Sequence, residues 1–134
     1  MEENAFLVYD WNVQQKNQTF CTENSHQQGY PVKFLIAGFG SIGRRHLNNL
    51  RALGENDIVL YRTHHSTLSD EDIRDIPTET TLDAALAHAP DGVIIANPTA
   101  LHLDVVIPAA QAGCAILMEK PLSDGYERID QLQA

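Results

Sequence analysis

From Val32 onward, apolar positions fall into two alternating rhythms. Short apolar runs, VKFLIA (32–37), DIVLY (57–61), VIIA (93–96) and AILM (115–118), are separated by stretches with helical spacing. Runs that do not alternate with polar residues read as strands covered on both faces, as in parallel sheets. After the first run, Ile42, Leu47, Leu50 and Leu53 fall roughly on one helical face, and Gly54 supplies a stop. Ser69–Asp75 is acidic and reads as a solvated loop or helix end. Thr81–Ala89 predicts a short Ala-rich helix with Leu82 and Leu86 inward, before Pro90-Asp91-Gly92 turns the chain into the third run. His102–Ala112 is helical, with Pro108 expected to bend or split its first turns and Gly113 to end it. Asp124 and Glu127 stand at capping-box spacing for a helix that has barely begun at Ala134. Strands alternating with helices through short turns imply right-handed crossovers, hence an α/β fold with a doubly wound parallel sheet.

Residues 1–31 follow neither rhythm. Ala5–Trp11 (AFLVYDW) has the makings of a strand, whereas the Asn- and Gln-rich remainder buries little apolar surface and reads as a loose tail. The expected organisation is an N-terminal extension over 1–31, poorly ordered, and one domain over 32–134.

Composition narrows the function classes without naming one. The chain has 134 residues, 43% of them apolar and 20% charged, which suits one globular domain. A net charge of −9 argues against nucleic acid or an anionic membrane surface as partner. No apolar run has the length of a membrane span, and the N-terminus lacks the pattern of a signal peptide. Cys21 and Cys114 lie in unlike contexts, which points to a reducing compartment and the cytoplasm.

The candidate chemistry begins at FLIAGFGSIGRRHL (34–47). Gly38, Gly40 and Gly43 give the spacing G-x-G-x-x-G between a predicted strand and a predicted helix, the context a dinucleotide cradle demands. The first glycine permits the tight turn, the second lets the backbone approach a pyrophosphate, and the third lets helix and strand pack closely. Unpaired N–H groups at the helix start face the phosphates. With Phe39, Ser41 and Ile42 these glycines form the predicted cofactor-binding loop of a Rossmann-like domain. An NAD-binding domain usually ends its second strand with a carboxylate that accepts from the adenosine ribose 2′-OH. Here DIVLY is followed by Arg62-Thr63-His64-His65, so Arg62 stands about twenty residues past the last glycine, where the acid belongs. A guanidinium cannot accept from a hydroxyl but pairs well with a 2′-phosphate, and Thr63 adds a hydroxyl. The prediction is NADP, with NAD as the alternative. His64 and His65 lack a third ligand, so no metal site is expected.

Ligands in such sheets bind beyond the carboxyl ends of the strands, where GFGSIG meets NPTALH (97–102) and EKPL (119–122). Lys120, between Glu119 and Pro121, is placed to bind a substrate hydroxyl oxygen and to stabilise the alkoxide that develops during hydride loss.

AGFGSIGRRHL, ANPTALH and AGCAILMEKPL, in this order and spacing, resemble the N-terminal domain of the Gfo/Idh/MocA oxidoreductases, from about Val32 to the end. The resemblance implies NAD(P)-linked hydride transfer on sugars, inositols or related polyols. It implies that Lys120 is the catalytic lysine with Glu119 beside it, that Asn97, Pro98 and His102 line the cofactor cleft, and that His46 serves packing. Members normally carry a second α/β domain that supplies substrate contacts, and a sixth strand after EKP. Neither is present here, so the fold is expected to be truncated before its last strand. The alternative function is a non-catalytic nucleotide-binding or regulatory module, inactive alone. The strand AILME (115–119) is left as a sheet edge that AFLVYDW or a partner chain would cover. Homo-oligomerisation stays open, since the family's usual assembly surface lies on the absent domain.

Overall fold

In the computed structural model, which describes residues 7–9, 31–63 and 70–132, the apolar runs become the interior of a single sheet. Strands β1 (Leu7–Tyr9), β2 (Phe34–Ala37), β3 (Ile58–Tyr61), β4 (Thr78–Glu79), β5 (Gly92–Ile95) and β6 (Ala115–Met118) are ordered β1-β6-β5-β2-β3-β4. The five strands from β2 onward are parallel. The uniform apolarity has the predicted cause. Leu35, Ala37, Val93 and Ile95 face one core, with α2 (Leu82–Ala87) and α3 (His102–Gln111); Ile36 and Ile94 face the other, with α1 (Ser41–Ala52). This is a Rossmann-like arrangement. The chain order reverses direction between β2 and β5, which opens a crevice at the carboxyl ends of those two strands.

Leu7–Tyr9 pairs antiparallel with β6, Leu7 opposite Met118 and Tyr9 opposite Ile116. Part of AFLVYDW therefore covers the edge that the sequence left bare, at the sheet position beyond β6. The rest of the extension, like His64, His65 and Cys21, lies outside the described residues.

Several expectations need correction. The buried stripe of α1 is Gly43, His46, Leu47 and Leu50, so Ile42 (37% exposed) and Leu53 (77% exposed) do not belong to it. Leu47 and Leu50 face inward as expected, while a glycine and a histidine, which an apolar count does not register, complete the inner face. The acidic stretch is not wholly solvated. A 3₁₀ turn at Glu71–Ile73 turns Ile73 inward, and Asp70 pairs with two arginines. Strand β4 is two residues long and escaped the pattern altogether. A 3₁₀ turn over Thr99–Leu101 leads into α3, which runs unbroken through Pro108. Beyond Asp124 and Glu127, the capping-box spacing leads to a 3₁₀ turn at Ile129–Leu132 rather than an α-helix.

Candidate functional site

Backbone hydrogen bonds extend the sheet ladder one residue past the strand ends and thereby set three loops side by side. Gly38 N–H donates to the Tyr61 carbonyl at 2.9 Å, Ala96 N–H to Ala37 at 2.8 Å, and Glu119 N–H to Ile95 at 3.0 Å. The cradle and the EKPL loop are anchored at their first residues, Gly38 and Glu119, and the NPTALH loop at Ala96 just before it. Between the first two lies a cleft of about 640 Å³. Gly38 through Ile42 form one wall, Tyr61, Arg62 and Thr63 a second, and Ala96, Asn97 and Pro98 a third, with Leu101 of the 3₁₀ turn and Asp104 and Val105 of α3 closing it.

The three glycines divide their labour. Gly38 has φ +92°, and a Cβ there would stand 2.5 Å from the Asn97 amide nitrogen. A Cβ on Gly43 would stand 2.2 Å from the Gly38 carbonyl oxygen. Both are closed by the protein itself. Gly40 caps α1 at φ −86°, and a Cβ there would meet nothing within 4 Å. The fold therefore has no need of glycine at Gly40; what the missing side chain leaves free is the surface before the helix N-terminus. Arg44 N–H reaches back to the Gly40 carbonyl at 3.0 Å, so the amides of the preceding turn lack intrahelical partners. A bare backbone at an amide-rich helix start fits a pyrophosphate.

Arg62 does not point loosely into solvent. Its side chain is 9% exposed, and both terminal nitrogens donate to Asp70, Nη1 to Oδ1 and Nη2 to Oδ2, each at 2.9 Å. Arg44 Nη2 approaches Asp70 Oδ1 at 3.4 Å, and its guanidinium lies 4.7 Å from the centroid of the Phe39 ring. Two cations thus bracket one carboxylate at the end of β3. Neither Arg44 nor Asp70 was legible as a site residue, because their meeting depends on how the chain returns after residue 63.

The EKPL loop is held from two sides. His46 Nε2 lies 2.6 Å from Glu119 Oε1, with His46 buried on α1, so the cradle helix directly grips the residue before Lys120. His102 is 1% exposed, its Nδ1 2.9 Å from the Pro121 carbonyl and its Nε2 3.0 Å from the Asn97 carbonyl. A neutral imidazole donates from one nitrogen only, so one of the two carbonyls is served at a time. His102 braces the NPTALH loop against the EKPL loop and does not line the cleft. Glu119 and Lys120 also stand outside the cleft lining, and Lys120 is exposed.

Cys114 sits apart, donating to the Pro90 carbonyl at 3.3 Å. Burial, and then the Asp91 charge, push its thiol above its ordinary pKa, which makes it a packing residue rather than a nucleophile. Among the described residues, no three His, Cys, Asp or Glu side chains gather as a metal would require, and no helix is long and apolar enough to cross a membrane.

The sequence profile of an oxidoreductase family with an NAD-binding Rossmann fold, Gfo/Idh/MocA, matches residues 32–134. The chain belongs to the Gfo/Idh/MocA family. Inositol 2-dehydrogenase of Corynebacterium glutamicum is 34% identical over 97 residues, covering 69% of this chain and 29% of that protein. Two solved structures share the fold at 24% identity. Myo-inositol 2-dehydrogenase from Lactobacillus plantarum superposes with a TM-score of 0.67 over 78% of this chain and 32% of that one. The WlbA dehydrogenase from Bordetella pertussis, solved with NADH and UDP-GlcNAcA, gives 0.68 over 78% and 33%. This Gfo/Idh/MocA chain thus spans about a third of the length of these relatives.

Proposed function

We propose that residues 32–134 bind a nicotinamide dinucleotide across the cleft, NADP in preference to NAD, for an oxidoreductase acting on a sugar- or polyol-like substrate. The observation that carries this reading is Gly40, the one cradle glycine that the fold itself leaves open. Its neighbours supply a helix N-terminus for the pyrophosphate, with Phe39, Ser41 and Ile42 along the same wall. Arg62, in the place of the usual carboxylate, supports the 2′-phosphate and the choice of NADP, with Thr63 beside it. Asn97 and Pro98 form the opposite wall. When bound, the nicotinamide accepts or donates the hydride. Lys120 holds the substrate hydroxyl and moves its proton, on a loop whose position His46 and His102 set through Glu119 and Pro121. Support for the substrate class comes from the 34% identical relative, an inositol 2-dehydrogenase. A reducing, cytoplasmic setting suits a buried free thiol.

A second reading, a nucleotide-binding module without chemistry of its own, draws support from the exposure of Lys120 outside the cleft lining. Titration with NADPH and NADH, followed by nicotinamide fluorescence and thermal stability, tests the first claim. Saturable binding with NADPH the tighter, reversed by Arg62→Asp, is the expected result; binding of neither by a folded chain contradicts it. Reduction of NADP in the presence of myo-inositol or galactose then separates the oxidoreductase from the silent module.

A further inference from the structure

The carboxylate missing from the end of β3 is supplied from elsewhere, and its geometry is that of an occupant. Asp70 takes both Arg62 terminal nitrogens in the parallel two-bond arrangement by which a guanidinium holds a phosphate, and draws Arg44 toward the same oxygen. We propose that Asp70 is a resident stand-in for the 2′-phosphate, competing with NADP for Arg62 and Arg44 and so setting how strongly this chain favours NADP over NAD. The proposal rests on the reading that the adenosine ribose reaches Arg62.

Three observations support exchange rather than simple addition. The first is position. Arg62 and Thr63 line both the main cleft and an adjoining pocket of about 370 Å³ that contains Asp70, so the ion pair stands at the seam of the two. The second is burial. Arg62 is 9% exposed and Asp70 45% exposed, so Arg62 needs an anion while the carboxylate regains water readily on leaving. The third is charge. Asp70 and a phosphate held by the same two guanidinium groups would stand as like charges in contact, so the phosphate gains both cations in full only when Asp70 yields them. NADH carries no 2′-phosphate and leaves the pair undisturbed, so only the phosphorylated cofactor has to break it.

The test measures dissociation constants of NADPH and NADH for the whole chain and for Asp70→Asn and Arg62→Gln. Asp70→Asn keeps the shape and one acceptor for Arg62. It is expected to tighten NADPH about tenfold, the scale of one partly screened like-charge contact, and to change NADH less than twofold. An unchanged or lowered NADPH-to-NADH preference in Asp70→Asn, with Arg62→Gln still weakening NADPH, would overturn the proposal alone. An NADPH affinity indifferent to Arg62→Gln would overturn the reading beneath it as well. A measurement on the unsubstituted chain does not depend on any variant folding. The Arg62 guanidinium resonances should shift with adenosine 2′-monophosphate and stay in place with adenosine 5′-monophosphate, and a response equal for both sinks the exchange.

Discussion

Gly40 and Gly43 belong to the same motif, yet the structure assigns them opposite consequences when each is changed to alanine. At Gly43 a methyl group would lie 2.2 Å from the Gly38 carbonyl oxygen. That neighbour is backbone and cannot swing away, so α1 must move from β2. Alanine gains about 1 kcal/mol of helix propensity over glycine, but overpacking of this kind costs about 1–3 kcal/mol and more where the obstacle is rigid. We expect a net loss of about 1–2 kcal/mol, on the order of 3–10 °C in Tm for a domain of this size. At Gly40 the new methyl meets nothing within 4 Å, and φ of −86° suits any residue. Restricting the unfolded chain favours alanine by about 0.4–1 kcal/mol, and the poorer N-cap returns a similar amount. The folded chain should keep its Tm within about 2 °C. Its affinity for NADPH, by contrast, should fall at least tenfold, a loss of about 1.4 kcal/mol, because the methyl stands before the helix start. Thermal melts with and without cofactor read both quantities from one sample. Wild-type affinity in a folded Gly40→Ala chain would refute the assignment of that surface to the pyrophosphate. A Tm loss equal to that of Gly43→Ala would refute the division of labour.

The remaining predictions concern the braces around the cleft. His46→Ala leaves the Glu119 carboxylate without its 2.6 Å partner and should cost about 1–3 kcal/mol, with His46→Gln recovering part of the loss by keeping a donor; urea melts compare them. His102→Leu roughly conserves volume but removes the ring that bridges the carbonyls of Asn97 and Pro121 and the one hydrogen bond it donates, so amide exchange should accelerate across both loops, while unchanged exchange would show that the ring is not the brace. Because burial raises the Cys114 thiol in the folded state, native Cys114 should resist alkylation at pH 8, as peptide mass mapping would show. The same shift fixes the sign of a pH effect: stability contributed by the neutral thiol is complete below its ordinary value of 9.0, and it declines as pH rises toward the higher folded value. Cys114→Ala should remove that decline.

Much of this architecture is visible in the sequence because parallel strands are covered on both faces. FLIA, IVLY, GVII and AILM advertise themselves by apolarity alone, and the cradle glycines by spacing. What stayed hidden has a physical character of its own. Strand β4 is too short to carry a period. On α1, Leu47 and Leu50 are legible by apolarity, but His46, a polar residue, faces inward to meet Glu119, a partner 73 positions away. Arg62 was legible as a cation in the carboxylate's place, but its bond to Asp70 was not. An ion pair leaves no pattern in a sequence when either side chain alone would suit solvent. His102 was assigned to the cleft by position, yet burial turned its ring toward two backbone carbonyls instead.

On the proposed function, the cradle and the opposite loop of this chain receive one dinucleotide between them. Backbone amide resonances recorded during titration with NADPH test it most directly. Saturable shifts are expected at Gly38–Gly43, Arg62–Thr63 and Ala96–Asn97, with strands β5 and β6 little affected. Shifts that avoid the cradle, or no shifts in a folded chain at saturating NADPH, would contradict it.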